Sequence, residues 1–234
     1  MSVYDARSLM IDGELVRELF VGGKRVYPNL PEGYTELEYI QSADSQYINT
    51  GVKVNPQYSV TAEFMMTTRA TTWDTIFGTR NGSAARFTAR YTNTATGNLG
   101  VHRSTSKTAS YESYEDSKAA KAKVTDKFHL IRLAKNKYYF DGELRKTFTA
   151  GSSTTKYDYE LFLFANNNVG KVGDEGYFRM RFCIIQDENN EPVRYFIPCK
   201  NQDGVAGMYD LIGGKFYGSS SSKAFTAGPV KEVN

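Results

Sequence analysis

Hydrophobic and polar residues alternate with a period of two along most of the chain. In residues 57–64 the alternation places Tyr58, Val60, Ala62 and Phe64 on one face, as in a strand with one buried side. Similar strand-like segments, separated by turn signals, cover residues 73–79, 85–91, 97–103, 127–133, 137–140, 160–164, 177–186 and 193–199. Many short strands with frequent turns are typical of a sandwich or barrel. The pattern therefore predicts an all-β fold.

Two of these strands carry more specific patterns. In residues 160–164, Glu160 is followed by four apolar residues, as expected of a strand covered on both faces. In residues 177–186, strict alternation predicts Phe178, Met180, Phe182 and Ile184 on one side, and Arg179, Arg181 and Cys183 on the other. Residues 117–123 are the one helical candidate, of a turn or two.

The first thirty residues are predicted to form a separate small unit. Residues 8–11, 14–21 and 24–27 read as strands, and Asp12-Gly13 and Gly22-Gly23 as tight hairpin turns. Such a three-stranded meander is marginal alone and needs a surface to pack on. We therefore interpret residues 1–30 as an attachment or oligomerisation module and residues 31–234 as the β-sandwich.

Composition excludes several classes of protein. The 234 residues carry a formal net charge of only +3, which does not provide the dense basic stripe of a nucleic-acid-binding protein. No apolar run approaches the roughly 20 residues of a membrane helix. The first residues lack a signal-peptide pattern, so we expect synthesis in the cytoplasm. Cys183 and Cys199 are expected to be buried thiols, although the sequence leaves their pairing open.

A search for catalytic groups finds none that the residues support. Glu36 and Glu38 are spaced to face one side of a strand, but no third carboxylate follows as in retaining glycoside hydrolases of this fold. The two histidines, His102 and His129, are too few for a histidine-based metal site, and His129 fits a buried strand position. We therefore predict no enzyme, no catalytic residue and no cofactor.

Calcium is the one metal that the sequence leaves open. Asp44, Asp74 and Asp174 fall in predicted loops, but their spacing is not that of a calcium-ligand set. No metal site is predicted.

The candidate ligand site combines aromatic, arginine and amide side chains on adjacent predicted strands. Aromatic rings stack on pyranose faces, while arginine and amide groups hold sugar hydroxyls. Arg86, Thr88 and Arg90 share a strand face opposite Phe87 and Ala89. The same polar row is also what any solvated sheet face shows. The candidate ligand-binding residues are Trp73, Arg80, Arg86, Arg90, Tyr91, His102 and Asn167.

Several segments resemble the concanavalin A-like/laminin-G-like superfamily. Residues 127–144 resemble its strand–turn–strand signature, in which an apolar strand with an inner histidine leads to an aromatic-Asp-Gly hairpin. Residues 161–168 and 176–182 resemble the next pair of strands. The resemblance implies an antiparallel jelly-roll sandwich over most of residues 34–200.

A narrower resemblance covers the ends of the sandwich and the N-terminal unit. Residues 30–42, 46–51, 194–200 and 203–210 are similar to the opening and closing segments of sandwich domains in tail-associated proteins of phages and prophages of gut Firmicutes. Residues 19–28 are similar to short N-terminal modules in such proteins. The resemblance implies a non-catalytic receptor-binding protein of the virion.

The implied partners follow from that resemblance. They are host cell-surface glycan on the sandwich, other virion or tail proteins through residues 1–30, and further copies of the chain. No nucleic acid and no membrane insertion are expected. The alternative is a structural virion or tail decoration protein that makes protein–protein contacts only.

Overall fold

The computed structural model describes residues 29–43, 45–67, 73–92, 97–120, 125 and 127–232, together with the backbone of four short N-terminal strands. Those strands are β1 (Met10–Ile11), β2 (Glu14–Leu15), β3 (Leu19–Val21) and β4 (Lys24–Tyr27). β1 pairs with β2, and β3 pairs with β4, both antiparallel. The predicted turns at Asp12-Gly13 and Gly22-Gly23 lie outside the described residues. Within the described residues, no helix is long and apolar enough to cross a membrane.

One sheet of the sandwich, which we call the front sheet, has the order β12-β11-β10-β9-β16-β7, with β17 and β18 attached to β9. Its strands are β7 (Ile48–Asn49), β9 (Asp74–Asn81), β10 (Ala85–Tyr91), β11 (Leu99–Ser104), β12 (Tyr111–Asp116), β16 (Phe162–Leu163), β17 (Asn166–Asn168) and β18 (Lys171–Gly173). The pairings are antiparallel except for β17, which runs parallel to β9. A short 3-10 helix, Ser117–Ala119, follows β12.

The other sheet, the back sheet, has the order β15-β14-β13-β8-β19-β20-β21-β22. Three short strands lie off this path: β5 pairs with β20, β6 pairs with β19, and β23 pairs with β6. Its strands are β5 (Thr35–Glu36), β6 (Ile40–Gln41), β8 (Ser59–Met66), β13 (His129–Ala134), β14 (Lys137–Phe140), β15 (Glu143–Thr147), β19 (Phe178–Gln186), β20 (Pro192–Lys200), β21 (Ala206–Asp210), β22 (Lys215–Tyr217) and β23 (Thr226–Ala227). The expected all-β, antiparallel sandwich is confirmed.

The core lies between the inner faces of the two sheets. As predicted, Tyr58, Val60, Ala62 and Phe64 all point into it. The front sheet contributes Phe87, Ala89, Tyr91, Leu99 and Val101, which follow the same period of two. Residues 161–164 are buried throughout, which confirms a strand covered on both sides. The arrangement is typical of two packed sheets that bury one face each.

The alternation predicted for residues 177–186 is wrong beyond Met180. A bulge at Arg181 shifts the register against β8, so that Met180 opposes Phe64 and Phe182 opposes Glu63. One extra residue reverses the facing of every later side chain. Phe178, Met180, Cys183 and Ile185 therefore face the core, while Phe182 and Ile184 face outward.

The outer face of the back sheet carries a second, smaller apolar cluster. Its buried members are Phe182, Ile184, Tyr195, Ile197, Cys199, Tyr209 and Leu211. Cys199 belongs to this cluster and Cys183 to the core, so the two thiols lie on opposite faces of the sheet; both are free and buried. Leu30 and Tyr34, just after the N-terminal strands, pack against the same cluster.

A buried ion pair joins the two sheets at one edge. Asp116, at the end of β12 in the front sheet, accepts two hydrogen bonds from the Arg145 guanidinium of β15, each 3.1 Å. The Tyr138 hydroxyl donates to the same carboxylate at 3.1 Å, and the Lys118 amide at 3.0 Å. Because the carboxylate is almost fully buried, these four donors replace the water that it loses.

We expect Asp116→Ala to lower the free energy of unfolding by about 3–5 kcal/mol, because the buried Arg145 guanidinium loses its buried partner and keeps only the largely exposed Glu143 carboxylate. Urea unfolding monitored by circular dichroism measures the change.

Glu143→Ala is the matched control. Glu143 also binds the Arg145 guanidinium, at 2.8 Å, but its own side chain is largely exposed. An exposed pair contributes about 0–1 kcal/mol. Equal losses in the two variants would contradict the role of the buried pair.

Candidate functional site

The outer face of the front sheet, which we call the front face, is built from three cross-strand rows. In antiparallel and parallel pairing alike, paired residues point to the same side of the sheet. The strand registers, extended by one residue through the Arg86–Ser104 hydrogen bond, give the rows Asn168-Arg80-Arg86-Ser104-Tyr111, Asn166-Gly78-Thr88-His102-Ser113 and Thr75-Arg90-Gly100-Glu115. The rows cross the middle of the sheet opposite the core, so the strands that hold the sandwich together also position these side chains.

Arg86 and Tyr111 form a stack across the first row. The guanidinium carbon of Arg86 lies 4.0 Å from the centre of the Tyr111 ring. The strand between them carries only Ser104 at this level, whose hydroxyl accepts from the Arg86 amide at 2.9 Å. A small residue at this position lets the two long side chains meet above it. The N–H donors lie in the plane of the guanidinium, so the cation–π contact with the ring does not use them.

Arg90 makes a second stack at the other end of β10. Its guanidinium carbon lies 4.1 Å from the centre of the Trp73 ring, and its Nη1 donates to the Asp174 carboxylate at 3.1 Å. Burial lowers the pKa of the Arg90 guanidinium, and the Asp174 charge opposes that shift. Arg90 is therefore held from two sides, by an aromatic ring and by a carboxylate.

Arg80 completes the group of three arginines. Its Nε donates to the Asn168 side-chain oxygen at 2.7 Å, across the parallel pairing of β17 with β9. Arg80 is also the direct cross-strand partner of Arg86. Both side chains are half-buried.

Two glycines of the front face leave space for the side chains of neighbouring strands. A Cβ atom at Gly78 would lie 2.7 Å from the Asn166 side-chain oxygen, and one at Gly100 would lie 2.9 Å from a Glu115 carboxylate oxygen. Both distances are shorter than side chains tolerate. The absence of a side chain at these two positions allows Asn166 and Glu115 to lean over the neighbouring strand.

His102 lies in the middle row, between the two arginine–aromatic stacks. We call the buried pair of this row, His102 and Thr88, the floor of the front face. Its ring packs edge-on against Tyr111 at 5.1 Å, and its Nε2 is 3.9 Å from Glu115. Burial lowers the pKa of His102; the Glu115 carboxylate opposes that effect, while Arg90 and Arg86 add to it. We therefore expect a neutral imidazole at pH 7, and the positive charge of the face comes from the arginines.

The structure brings together five of the seven residues proposed from sequence: Trp73, Arg80, Arg86, Arg90 and His102 lie on the front face. It places the other two elsewhere. Tyr91 is fully buried in the core beside Phe64. The Asn167 amide is buried and bonded to backbone groups of Glu160 and Gly170.

Three contributors were missed by sequence reasoning: Tyr111, Glu115 and Asp174. Tyr111 and Glu115 alternate on one strand, and that period could have indicated a shared face. Asp174 was considered only as a calcium ligand; here it binds Arg90. Nothing in the local sequence indicates that contact, because it depends on the path of the chain after β18.

Metal ligation finds no support in the described part of the chain. No group of three or more histidine, cysteine, aspartate or glutamate side chains there could hold an ion. Asp74 is fully buried, and Asp44 lies outside the described residues. His129 is buried with its Nδ1 2.8 Å from an Asp141 oxygen, as a structural histidine should be.

We expect His102 to titrate below its ordinary value of 6.5 in proton NMR. The chain has two histidines, so His129→Gln leaves a single imidazole signal to follow. The imidazole of His102 binds a proton more readily in the unfolded chain than in the folded protein. Its contribution to stability is therefore present above pH 6.5 and is lost as the pH falls from 6.5 through the lower pKa of the folded protein. A midpoint at or above 6.5 would contradict the buried, arginine-flanked position.

No protein-family model and no curated protein matches the sequence. Comparison with solved structures finds distant likenesses. The CBM40 of Ruminococcus gnavus IT-sialidase, bound to α2,3-sialyllactose, is 13% identical, with a TM-score of 0.47 over 65% of this chain and 90% of that one. The same CBM40 in a second structure gives 15% identity and a TM-score of 0.43, over 63% of this chain and 89% of that one.

Domains LG4-5 of the mouse laminin α1 chain are 12% identical, with a TM-score of 0.45 over 86% of this chain. The match spans about half of the laminin chain, 48%. Neither the identities nor the TM-scores are high enough to carry a ligand or a residue's role over to this protein.

Proposed function

We propose that this protein is a non-catalytic glycan-binding protein that recognises a cell-surface saccharide through the front face of its sandwich. The observation that carries the proposal is the pair of arginine–aromatic stacks, Arg86–Tyr111 and Arg90–Trp73, on either side of the His102 floor. This arrangement holds polar donors in fixed positions on an otherwise regular sheet.

The chemistry of a saccharide suits this face. A sugar presents hydroxyl groups that need donors and acceptors in fixed directions, and C–H groups that pack on aromatic rings. Arg86, held by Tyr111, makes no side-chain hydrogen bond to any described residue; its Nε is buried, so its Nη groups are the donors left for a ligand acceptor. Ser113 and Glu115 add exposed polar groups at the β12 edge.

The biological setting is proposed from the sequence resemblance alone. In that setting the chain is a receptor-binding component of a phage or prophage tail, and the saccharide belongs to the host cell surface. The N-terminal unit then attaches the sandwich to neighbouring virion proteins or to further copies of the chain. The alternative, a decoration protein with protein contacts only, predicts that the front face binds no saccharide.

We expect Arg86→Ala and Tyr111→Ala each to weaken saccharide binding by about tenfold or more, because each removes half of one stack. A glycan array identifies ligands of the wild type, and isothermal titration calorimetry compares the variants. The host-cell arm uses fluorescently labelled protein on Firmicute cells.

Arg132→Ala and Tyr139→Ala are the matched controls. This arginine and tyrosine face each other across β13 and β14 on the back sheet, 6.0 Å apart, at the opposite side of the molecule. They should leave affinity unchanged. Failure of the wild type to bind either the array or the cells, or equal losses in both pairs, would sink the front-face proposal.

Deleting residues 1–28 tests the attachment role separately. The deletion stops before Leu30, because Leu30 packs against the outer cluster of the back sheet. We expect saccharide affinity to persist and self-association, or binding to tail proteins, to disappear. Light scattering after size-exclusion chromatography measures the association. An assembly state and partner binding that are the same before and after deletion would contradict an attachment module.

A further inference from the structure

We infer that the saccharide bound by the front face is acidic, and that its anionic group lies between Arg80 and Arg86. The inference rests on the proposed function, since it names the ligand class of the same face. It is carried by the pairing of these two arginines and by the neutral character of their partners.

Arg80 and Arg86 are directly opposite each other on neighbouring strands. The register of β9 and β10 pairs them, so their Cβ atoms lie on the same side, about 5 Å apart. Like charges in this position repel each other and destabilise a sheet. The repulsion contributes to the pKa of Arg86. Burial lowers this pKa most and the Arg80 charge lowers it further, whereas Tyr111 and Asp174 raise it. An anion between them would turn this repulsion into two attractions.

The part of the chain that the structure describes supplies no anion in direct contact with either arginine. Among the ion pairs of the described residues, none includes Arg80 or Arg86; Arg80 binds the neutral Asn168 amide, and Arg86 stacks on a tyrosine. Arg90, in contrast, has its own carboxylate in Asp174. The arginines of the first row therefore have no direct ion-pair partner among the described residues and feel Asp174 only from a distance, whereas Arg90 at the other end of β10 is paired with it.

Arg103 shows how the same fold treats a structural arginine. It is almost fully buried, and its two Nη atoms donate to the carbonyl oxygens of Thr149 and Pro56 at 2.9 and 2.8 Å. The guanidinium of Arg86 has no comparable acceptor among the described residues; its contact there is the ring of Tyr111. A side chain kept solely for packing would be expected to bind such acceptors, as Arg103 does.

The chemistry of the guanidinium indicates the class of anion. Its planar set of N–H donors matches two oxygens of a carboxylate, sulfate or phosphate group, and a neutral hydroxyl cannot provide this match. Asn168, on the same row, adds an amide beside the arginines. The shared feature of the ligand is thus an oxyanion attached to a sugar, and the experiment distinguishes its source.

The experiment uses the full chain on an array of acidic oligosaccharides, each printed beside a neutral counterpart. The probes are glucuronate-, N-acetylneuraminate-, sulfate- and glycerol phosphate-bearing glycans, and their carboxyl-reduced, desialylated, desulfated or dephosphorylated forms. We expect acidic probes to be bound at least about tenfold more tightly than their counterparts, and the preference to shrink with added salt.

Arg80→Gln and Arg86→Gln should each reduce the acidic-over-neutral preference by about tenfold, and Arg86→Lys should restore part of it because it keeps the charge without the planar donors. Arg132→Gln on the back sheet is the control and should keep the full preference. Thermal unfolding of each variant separates a lost ligand contact from a lost fold.

The outcomes separate the two proposals. Binding of neutral glycans alone, still lost in Tyr111→Ala, would overturn the acidic ligand and leave glycan binding standing. A preference for acidic probes that Arg80→Gln and Arg86→Gln do not change would also overturn the placement of the anion. Absence of any saccharide binding by the folded wild type would overturn both.

Discussion

The pairing of β10 at the centre of the front sheet is the constraint on which the rest of the molecule depends. This strand packs Phe87, Ala89 and Tyr91 into the core, and the same alternation turns Arg86 and Thr88 outward. A slip of one residue would move the apolar side chains to solvent and the arginines into the core, which the burial energy of three apolar residues forbids. The core contacts therefore also fix where the arginines stand.

Small residues convert this regular sheet into a shaped surface. With Ser104 between Arg86 and Tyr111, and with glycine at positions 78 and 100, long side chains can lie across the neighbouring strand instead of standing upright. The floor that results is buried although it lies on the outer side of the sheet; His102 and Thr88 are nearly inaccessible. Burial of that floor lowers the pKa of His102 and leaves the arginines as the fixed positive charges.

Strands and their facing could be predicted from sequence where the alternation is regular. Residues 57–64 and 85–89 are such cases, because apolar residues occupy every second position and all of these face the core. Bulges are where the period fails. A bulge at Arg181 reverses the later part of β19, and another between Ala89 and Arg90 shifts β10 against β9. An extra residue in one strand depends on its partner strand, which a single segment does not reveal.

The candidate site shows the same division. Arg86 and Arg90 could be placed on one face because they are an even number of residues apart on one strand. Tyr91 was included for its residue type, but it is an odd number of residues from both arginines and therefore faces the core. Contacts between distant segments could not be predicted: Asp174 reaches Arg90 across 84 positions, and Asp116 meets Arg145 across 29. These contacts are set by how loops return to the sheet edges, and the local residue pattern contains no signal for them.

Three arginines on one face do not have one role. Arg90 is paired with Asp174 and stacked on Trp73, so its side chain is held in place and its charge is balanced within the protein. Arg80 and Arg86 face each other with uncharged partners, which a sheet selected for stability alone would avoid. Strain of this kind is retained in proteins where function uses it, since the surrounding core can offset its free-energy cost. The imbalance between the two ends of β10, more than the number of arginines, is the reason for proposing an anionic ligand on the front face.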